Sequence, residues 1–213
     1  MTADNPKGLV LVTGANGYIA GHVIDALLRS GHAVRGTVRS RPSADGLCTA
    51  LHRHAKNLEI VEVPDITVDG AFEEATKGAT AVIHIAAPVN IFQAEPKAFM
   101  HASLQGLART LEAAEREQAT VRSFIFMSSV ASIFSERDDD HTFTEEDWNT
   151  YSEPIVAEKG SDAPKHIIYE ASKVAAERAM WKFREEKKPR FSVTAVNPMW
   201  VLTSGLLTES VLT

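Results

Sequence analysis

The chain has 213 residues, 23% of them charged and 44% apolar, the balance of a globular protein large enough to bury one substantial core. A formal net charge of -6 argues against nucleic acid or an anionic membrane as the main partner. The single cysteine, Cys48, rules out an internal disulfide and a thiolate metal cluster, as suits a reducing compartment.

The opening, MTADNPKGLVLV, lacks the basic segment, apolar run and cleavage site of a signal peptide. The longest apolar stretch, Ala81 to Val89, is too short to span a bilayer and contains His84. A cytoplasmic protein without membrane or nucleic-acid partners is expected. Leu9 to Val12 is the first strand, ended by Gly14. Gly17 to Arg29 reads as a helix with Ile19, Val23, Ala26 and Leu27 on one face, stopped at Gly31. Ala33 to Val38 is a second strand, Ser43 to Ala55 a helix, and Leu58 to Val63 a third strand closed by Pro64-Asp65. A short helix near Phe72 to Thr76 precedes strand Ala81 to Ala86, whose near-continuous apolar run fits burial on both faces. Then come a long helix from Pro96 to Glu117, strand Ser123 to Met127, a helix from Ala163 to Lys187 and strand Phe191 to Val196. Strands alternating with helices predict an α/β fold with a doubly wound parallel sheet, and one domain over residues 1–213. Ser135 to Asp162 reads as the one long irregular stretch, a length that in a compact domain favours a functional loop.

Gly14 and Gly17 fall where the first strand turns into a helix. There a backbone without side chains approaches a pyrophosphate, and the helix start offers unpaired N–H groups. The spacing is Gly-x-x-Gly-x-x-Ala, with Tyr18 and Ile19 opening the helix and Ala20 taking the close-packing position. About 20 residues on, an NAD site carries a carboxylate for the ribose 2′-hydroxyl. Here the chain reads Arg35-Gly36-Thr37-Val38-Arg39-Ser40-Arg41, so Arg39, helped by Ser40, is placed for a 2′-phosphate and NADP(H) is the expected cofactor. Asp65 and Ile66 are candidates for the adenine edge. Ala86, Ala87 and Pro88 are small enough to let the cofactor cross the sheet.

Tyr169 and Lys173 are four residues apart on a helix and share a face. A free phenol ionises near pH ~10, too high for proton transfer at neutral pH, and a neighbouring ammonium favours the phenolate. Met127-Ser128-Ser129 ends the fifth strand at the carboxyl edge, where ligands bind in open α/β folds. Ser129 is the candidate donor to a substrate carbonyl, and Ser128 a backbone or packing position. The expected chemistry is hydride transfer to a carbonyl carbon: Tyr169 gives the proton, Lys173 supports the phenol and holds the nicotinamide ribose, and Ser129 polarises the oxygen. Asn197-Pro198-Met199-Trp200-Val201 follows the sixth strand, where Pro198 and Val201 can position the nicotinamide carboxamide through backbone groups. Asp138-Asp139-Asp140-His141 reads as a solvated loop, not a metal site, because consecutive residues fan out.

Over almost its whole length the chain resembles the extended short-chain dehydrogenase/reductase family, in its dihydroflavonol reductase-like and fungal aldehyde/ketone reductase branch. The resemblance rests on VTGANGYIAGHVIDALLRSGHAVRGTVRS, HIAAP, FIFMSSVAS, FTEEDWN, YEASKVAAERAMWKF and AVNPMWV. It implies a Rossmann fold and an NADPH-dependent carbonyl reductase, with a place in detoxification or secondary metabolism by analogy alone. Where plant dihydroflavonol reductases carry an asparagine this chain has Phe134, which implies a less polar aldehyde or ketone instead of a flavonoid. After Val201 the family continues with Gly-Pro, a further strand and a helical substrate-binding region, whereas this chain reads Leu202-Thr203-Ser204-Gly205 and ends at Thr213. Most of that region is therefore expected to be absent. An exposed sixth strand would then favour self-association or a partner at the C-terminal edge. A non-catalytic dinucleotide-binding module acting through a partner is the alternative reading. Sugar-nucleotide epimerisation is disfavoured by Arg39, since such enzymes hold NAD.

Overall fold

The computed structural model describes residues 6–87, 95–137 and 139–202. Six strands, β1 (Leu9–Val12), β2 (Ala33–Val38), β3 (Leu58–Glu62), β4 (Ala81–His84), β5 (Ser123–Met127) and β6 (Ser192–Val196), form one sheet in the order β3-β2-β1-β4-β5-β6. Every neighbouring pair is parallel, as alternating strands and helices require. The helices are α1 (Tyr18–Arg29), α2 (Asp45–Ala50), α3 (Glu73–Thr76), α4 (Pro96–Arg116), α5 (Ser152–Lys159) and α6 (Lys165–Lys187).

The two-residue period of the strands sorts the core into two layers. Val10, Val12, Val34, Val38, Ile60 and Ile83 face α1 and α2, meeting Ile24, Leu28 and Leu47. Leu11, Val82, Phe124 and Phe126 face the other way, onto Leu107, Leu111 and Ala114 of α4 and Ala176 and Met180 of α6. Both faces of the central strands are thus covered, which explains their continuous apolar runs. Strand order reverses between β1 and β4, so the carboxyl ends of those two strands open a crevice.

Three sequence expectations need correcting. The buried face of α1 is Ala20, Gly21, Ile24, Asp25 and Leu28, and of the expected stripe Ile19, Val23, Ala26 and Leu27 only Val23 and Leu27 pack, partly buried, against the same core. Small residues allow the close approach there, and Asp25 is buried because Arg29 pairs with it at 2.6 Å. The helix expected over 43–55 is only α2, flanked by 3-10 turns at Arg41–Ala44 and His52–Asn57. Leu47 and Leu51 are buried, but no residue from His52 to Asn57 is, so nothing extends the packed face. The stretch from Ser135 to Asp162 is not wholly irregular, since it contains α5 and a 3-10 turn at Gly160–Asp162. Pro154 sits in the first turn of α5, where its missing N–H costs no helical bond.

Strand β6 does lie at the sheet's edge among the described residues, but its apolar side is better covered than expected. Phe191 is buried with its ring centre 6.3 Å from that of Phe124, and Ser192, Thr194 and Val196 are the outward positions. Exposed apolar surface lies just beyond, at Met199, Trp200 and Leu202. Pro88 and residues 203–213 lie outside the described residues.

Candidate active site

Because all six strands are parallel, their carboxyl ends lie along one edge, and every candidate residue except the two on α6 follows one of them. Gly14, Gly17, Tyr18 and Ile19 follow β1; Arg39 follows β2; Asp65 and Ile66 follow β3; Ala86 and Ala87 follow β4; Ser129 follows β5; Pro198 and Val201 follow β6.

The glycine turn is fixed by close approach. Gly14 has φ +69°, and a Cβ built on it would stand 3.0 Å from the Ala86 Cα. Gly17 closes the turn by donating to the Gly14 carbonyl at 2.9 Å, and as the N-cap of α1 it makes no side-chain cap bond among the described residues. The first N–H groups of a 12-residue helix therefore face the edge beside a bare backbone. Thr13 locks this turn to β4: its Oγ1 accepts from the Ile85 and Ala86 N–H groups, each at 3.0 Å. The same oxygen lies 3.1 Å from Nδ1 of His84, which Thr110 approaches at 3.1 Å from α4. Burial, with a smaller contribution from the Lys173 charge, pushes the His84 imidazole down to about 3, so it is neutral at physiological pH.

The arginines after β2 divide their work. Arg35 donates to Glu59 at 2.7 Å and to the carbonyls of Ala75 and Lys77, a structural tie. Arg41 grips β3 through Glu62 and the Ile60 carbonyl. Arg39 is exposed and makes no hydrogen bond or ion pair among the described residues. Asp65 turns its carboxylate onto the Thr67 N–H and hydroxyl at 2.8 and 2.7 Å. Those bonds, the Thr67 hydroxyl first, hold it below the usual carboxylate range. Ile66 packs its side chain toward Val63, Phe72 and Ala113 and meets Gly106, where an added Cβ would stand 2.7 Å away. Only the backbone of Ile66 is thus offered to the edge.

The α6 residues reach the same edge from the side. Lys173 donates to the carbonyl of Met127, the last residue of β5, at 3.2 Å, and its Nζ stands 5.8 Å from the centre of the Tyr169 ring. Burial draws the amine down to about 8, with the Glu177 carboxylate working in the opposite direction, so the ammonium is mainly retained at neutral pH. Tyr169 packs against Phe99, Ala163 and Ile168, and its hydroxyl has no hydrogen-bond partner among the described residues. Ser129 is 7% exposed, and its Oγ accepts from the Ala131 N–H at 3.2 Å, leaving the hydroxyl proton available to donate.

The sequence assigns no role to two residues that organise this cluster, Asn149 and Glu177, and a different one to a third, Asn197. Asn149 donates to the Ala131 carbonyl and to Glu170, both at 3.1 Å, while its oxygen accepts the N–H groups of Tyr151 and Ser152. Glu177 receives Ser128, Ser132 and Asn197 on one carboxylate oxygen. Asn197, expected to act through its backbone, is engaged through its side chain. The one available signal was the position of Glu177, a turn beyond Lys173 on the same helix face.

A glycine turn before a helix start at the first of six parallel strands, with strand order reversing beside it, defines a dinucleotide-binding α/β domain. The chain belongs to the NAD dependent epimerase/dehydratase family, whose model matches residues 10–205. It is 35% identical over 202 residues to aldehyde reductase 2 of Sporidiobolus salmonicolor, covering 92% of this chain and 59% of that protein. Its fold superposes on yeast methylglyoxal/isovaleraldehyde reductase Gre2 complexed with NADPH with a TM-score of 0.82 and 31% identity, covering 92% of this chain and 59% of that one. Vestitone reductase from alfalfa gives 0.72 at 26% identity, with 90% and 56% covered. The chain thus spans somewhat over half the length of these relatives. The family resemblance read from the motifs stands. Among the described residues no helix is long and apolar enough to cross a membrane.

Proposed function

We propose that this chain carries the cofactor site and the catalytic residues of an NADPH-dependent reductase of small to medium aldehydes or ketones. The observation that carries the reading is the Lys173 ammonium held beside the Tyr169 ring at the carboxyl edge of the sheet, with its second anchor on β5.

The residues fit a dinucleotide. The uncapped start of α1 and the bare backbone of Gly14 would hold the pyrophosphate, with Tyr18 and Ile19 alongside. Arg39, exposed and making no hydrogen bond or ion pair among the described residues, would take the 2′-phosphate, which favours NADPH over NADH and speaks against the epimerases of this family. Asp65 and the Ile66 backbone would face the adenine, Ala86 and Ala87 would leave room at the crevice, and Pro198 and Val201 would face the carboxamide. Relatives are themselves named as NADPH-dependent or as NADPH complexes. When bound, the reduced nicotinamide supplies a hydride to the carbonyl carbon. Ser129 donates to the carbonyl oxygen as negative charge grows there, Tyr169 delivers the proton that makes the alcohol, and Lys173 stabilises the phenolate left behind. Lys173 would also hold the nicotinamide ribose. The products are the alcohol and NADP⁺.

The half-exposed Phe134, close behind Ser129 and packed on Phe143 at 5.0 Å between ring centres, supports a weakly polar substrate in place of a flavonoid. A cytosolic setting belongs to the same proposal and is supported by the single cysteine. The alternative is a non-catalytic dinucleotide-binding module acting through a partner, which the test below separates from the enzyme.

The test is NADPH oxidation against a panel of aldehydes and ketones. Tyr169→Phe should lower turnover by about 10²–10⁴-fold while NADPH binding stays within about twofold. Equal inactivity of both proteins, with NADPH bound by both, would support the module instead. The exposed Met199, Trp200 and Leu202 beyond the edge strand support self-association or a covering partner, and a monodisperse monomer in size-exclusion chromatography would contradict that part.

A further inference from the structure

We propose that Glu177 is a positioning residue of this site: one carboxylate on α6 fixes the turn that carries Ser129 and supplies the negative charge that balances the Lys173 ammonium one helical turn away. The proposal rests on the reductase reading for its purpose, but not for its test.

Glu177 is 5% exposed, and buried carboxylates are retained only where donors and a countercharge offset their desolvation. Its Oε2 lies 2.5 Å from Ser128 Oγ, 2.6 Å from Ser132 Oγ and 2.8 Å from Asn197 Nδ2. Its Oε1 takes the Trp181 indole N–H at 3.3 Å. These donors come from the β5 exit, the β6 exit and α6 itself, so a single group joins three elements. Ser128 and Ser132 bracket Ser129. Asn197 also reaches the Ser129 carbonyl at 3.2 Å, and the Ser132 hydroxyl approaches that carbonyl at 2.7 Å. The backbone repeats the clasp, because Ser128 donates to the Val196 carbonyl and Val130 to that of Pro198. Ser129 is thus held from both sides in an extended conformation, with its hydroxyl hydrogen uncommitted.

Toward Lys173, Glu177 lies one turn on along the same face of α6, without an ion pair to it among the described residues, and its charge works against the amine's desolvation. The other titratable groups facing that amine are Tyr169 on α6 and His84 on β4, and His84 is neutral at physiological pH. Phe126 of β5 stands between, its ring centre 5.6 Å from the Lys173 Nζ and 6.0 Å from that of His84. Remove the carboxylate's charge and nothing nearby replaces it among the described residues.

The experiment follows the Lys173 side chain by NMR in the full chain with ¹³C-labelled lysine, its signal identified by its loss in Lys173→Met. Neither substrate nor cofactor is needed, so the outcome is independent of whether the chain turns over. In the wild type the amine should titrate near 8. In Glu177→Gln, which keeps volume and removes charge, the midpoint should fall below the wild-type value. Met180→Ala, a core variant on the same helix, controls for general loosening and should leave the midpoint in place. An unmoved midpoint in Glu177→Gln, or an equal fall in Met180→Ala, would overturn the proposal. If Glu177→Gln does not fold, Ser128→Ala/Ser132→Ala keeps the charge and strips two donors. Its midpoint should then lie at or above that of the wild type, and a lower one would overturn the proposal. Where the wild type does turn over, Glu177→Gln should lower kcat by about tenfold or more with the KM for NADPH little changed.

Discussion

The two halves of the sheet's carboxyl edge are built by different means. Around β1, β2 and β3 the edge is made mainly of backbone and small side chains, Gly14 against Ala86 and the start of α1, with the exposed Arg39 after β2. Around β5 and β6 it is made of side-chain hydrogen bonds converging on buried groups, with Glu177, Asn149 and Asn197 tying Ser128 to Ser132 into α6. A long anionic cofactor needs room and N–H donors along its length, and backbone supplies both. A reacting oxygen needs a few groups held within tenths of an ångström, and packed polar networks supply that. His84 sits at the seam, linked to Thr13 of the glycine turn on one side and facing Lys173 through Phe126 on the other.

The largest expected effect is at that seam. With a folded pKa near 3 and an ordinary value of 6.5, His84 binds its proton in the unfolded chain first. Its contribution to stability is complete above pH 6.5 and is lost as the pH falls toward 3, at about 1.4 kcal/mol per unit. Urea unfolding of wild type and His84→Gln between pH 7 and 4 should give a shallower acid decline for the variant, and parallel curves would refute the assignment. Next comes the backbone half. Gly14→Val forces a branched side chain into a left-handed turn against Ala86, which should weaken NADPH by about a hundredfold in a fluorescence titration. Unchanged affinity would show that the turn does not approach the cofactor. The smallest effect is at the exposed end, where Arg39→Ala should cost NADPH about tenfold and NADH almost nothing. Equal losses for both would shift the 2′-phosphate site elsewhere.

The backbone half was the more legible of the two in the sequence. Strand positions to within two residues, the glycine turn and the order of elements follow from local patterns, and the shared face of Tyr169 and Lys173 follows from their spacing of four residues on α6. The side-chain half was not. Ser128, Ser132 and Asn197 meet Glu177 across 49, 45 and 20 residues of sequence, a convergence that only packing creates. Helix α5 was missed because it lacks an apolar stripe and carries Pro154; its start is organised by Asn149, which accepts the Tyr151 and Ser152 N–H groups. The face of α1 was misread because Ala20 and Gly21 are buried for their smallness, a property hydrophobic periodicity does not weigh.

The central claim is that a phenol beside a lysine at this edge completes a hydride transfer. Incubating the chain with NADPH carrying deuterium at C4 of the nicotinamide, one stereoisomer at a time, together with an aldehyde or ketone, tests it most directly. The account predicts deuterium on the carbinol carbon from one of the two isomers, with transfer all but lost in Tyr169→Phe. Tight NADPH binding with no label moved by the wild type, or equal transfer by both proteins, would contradict it.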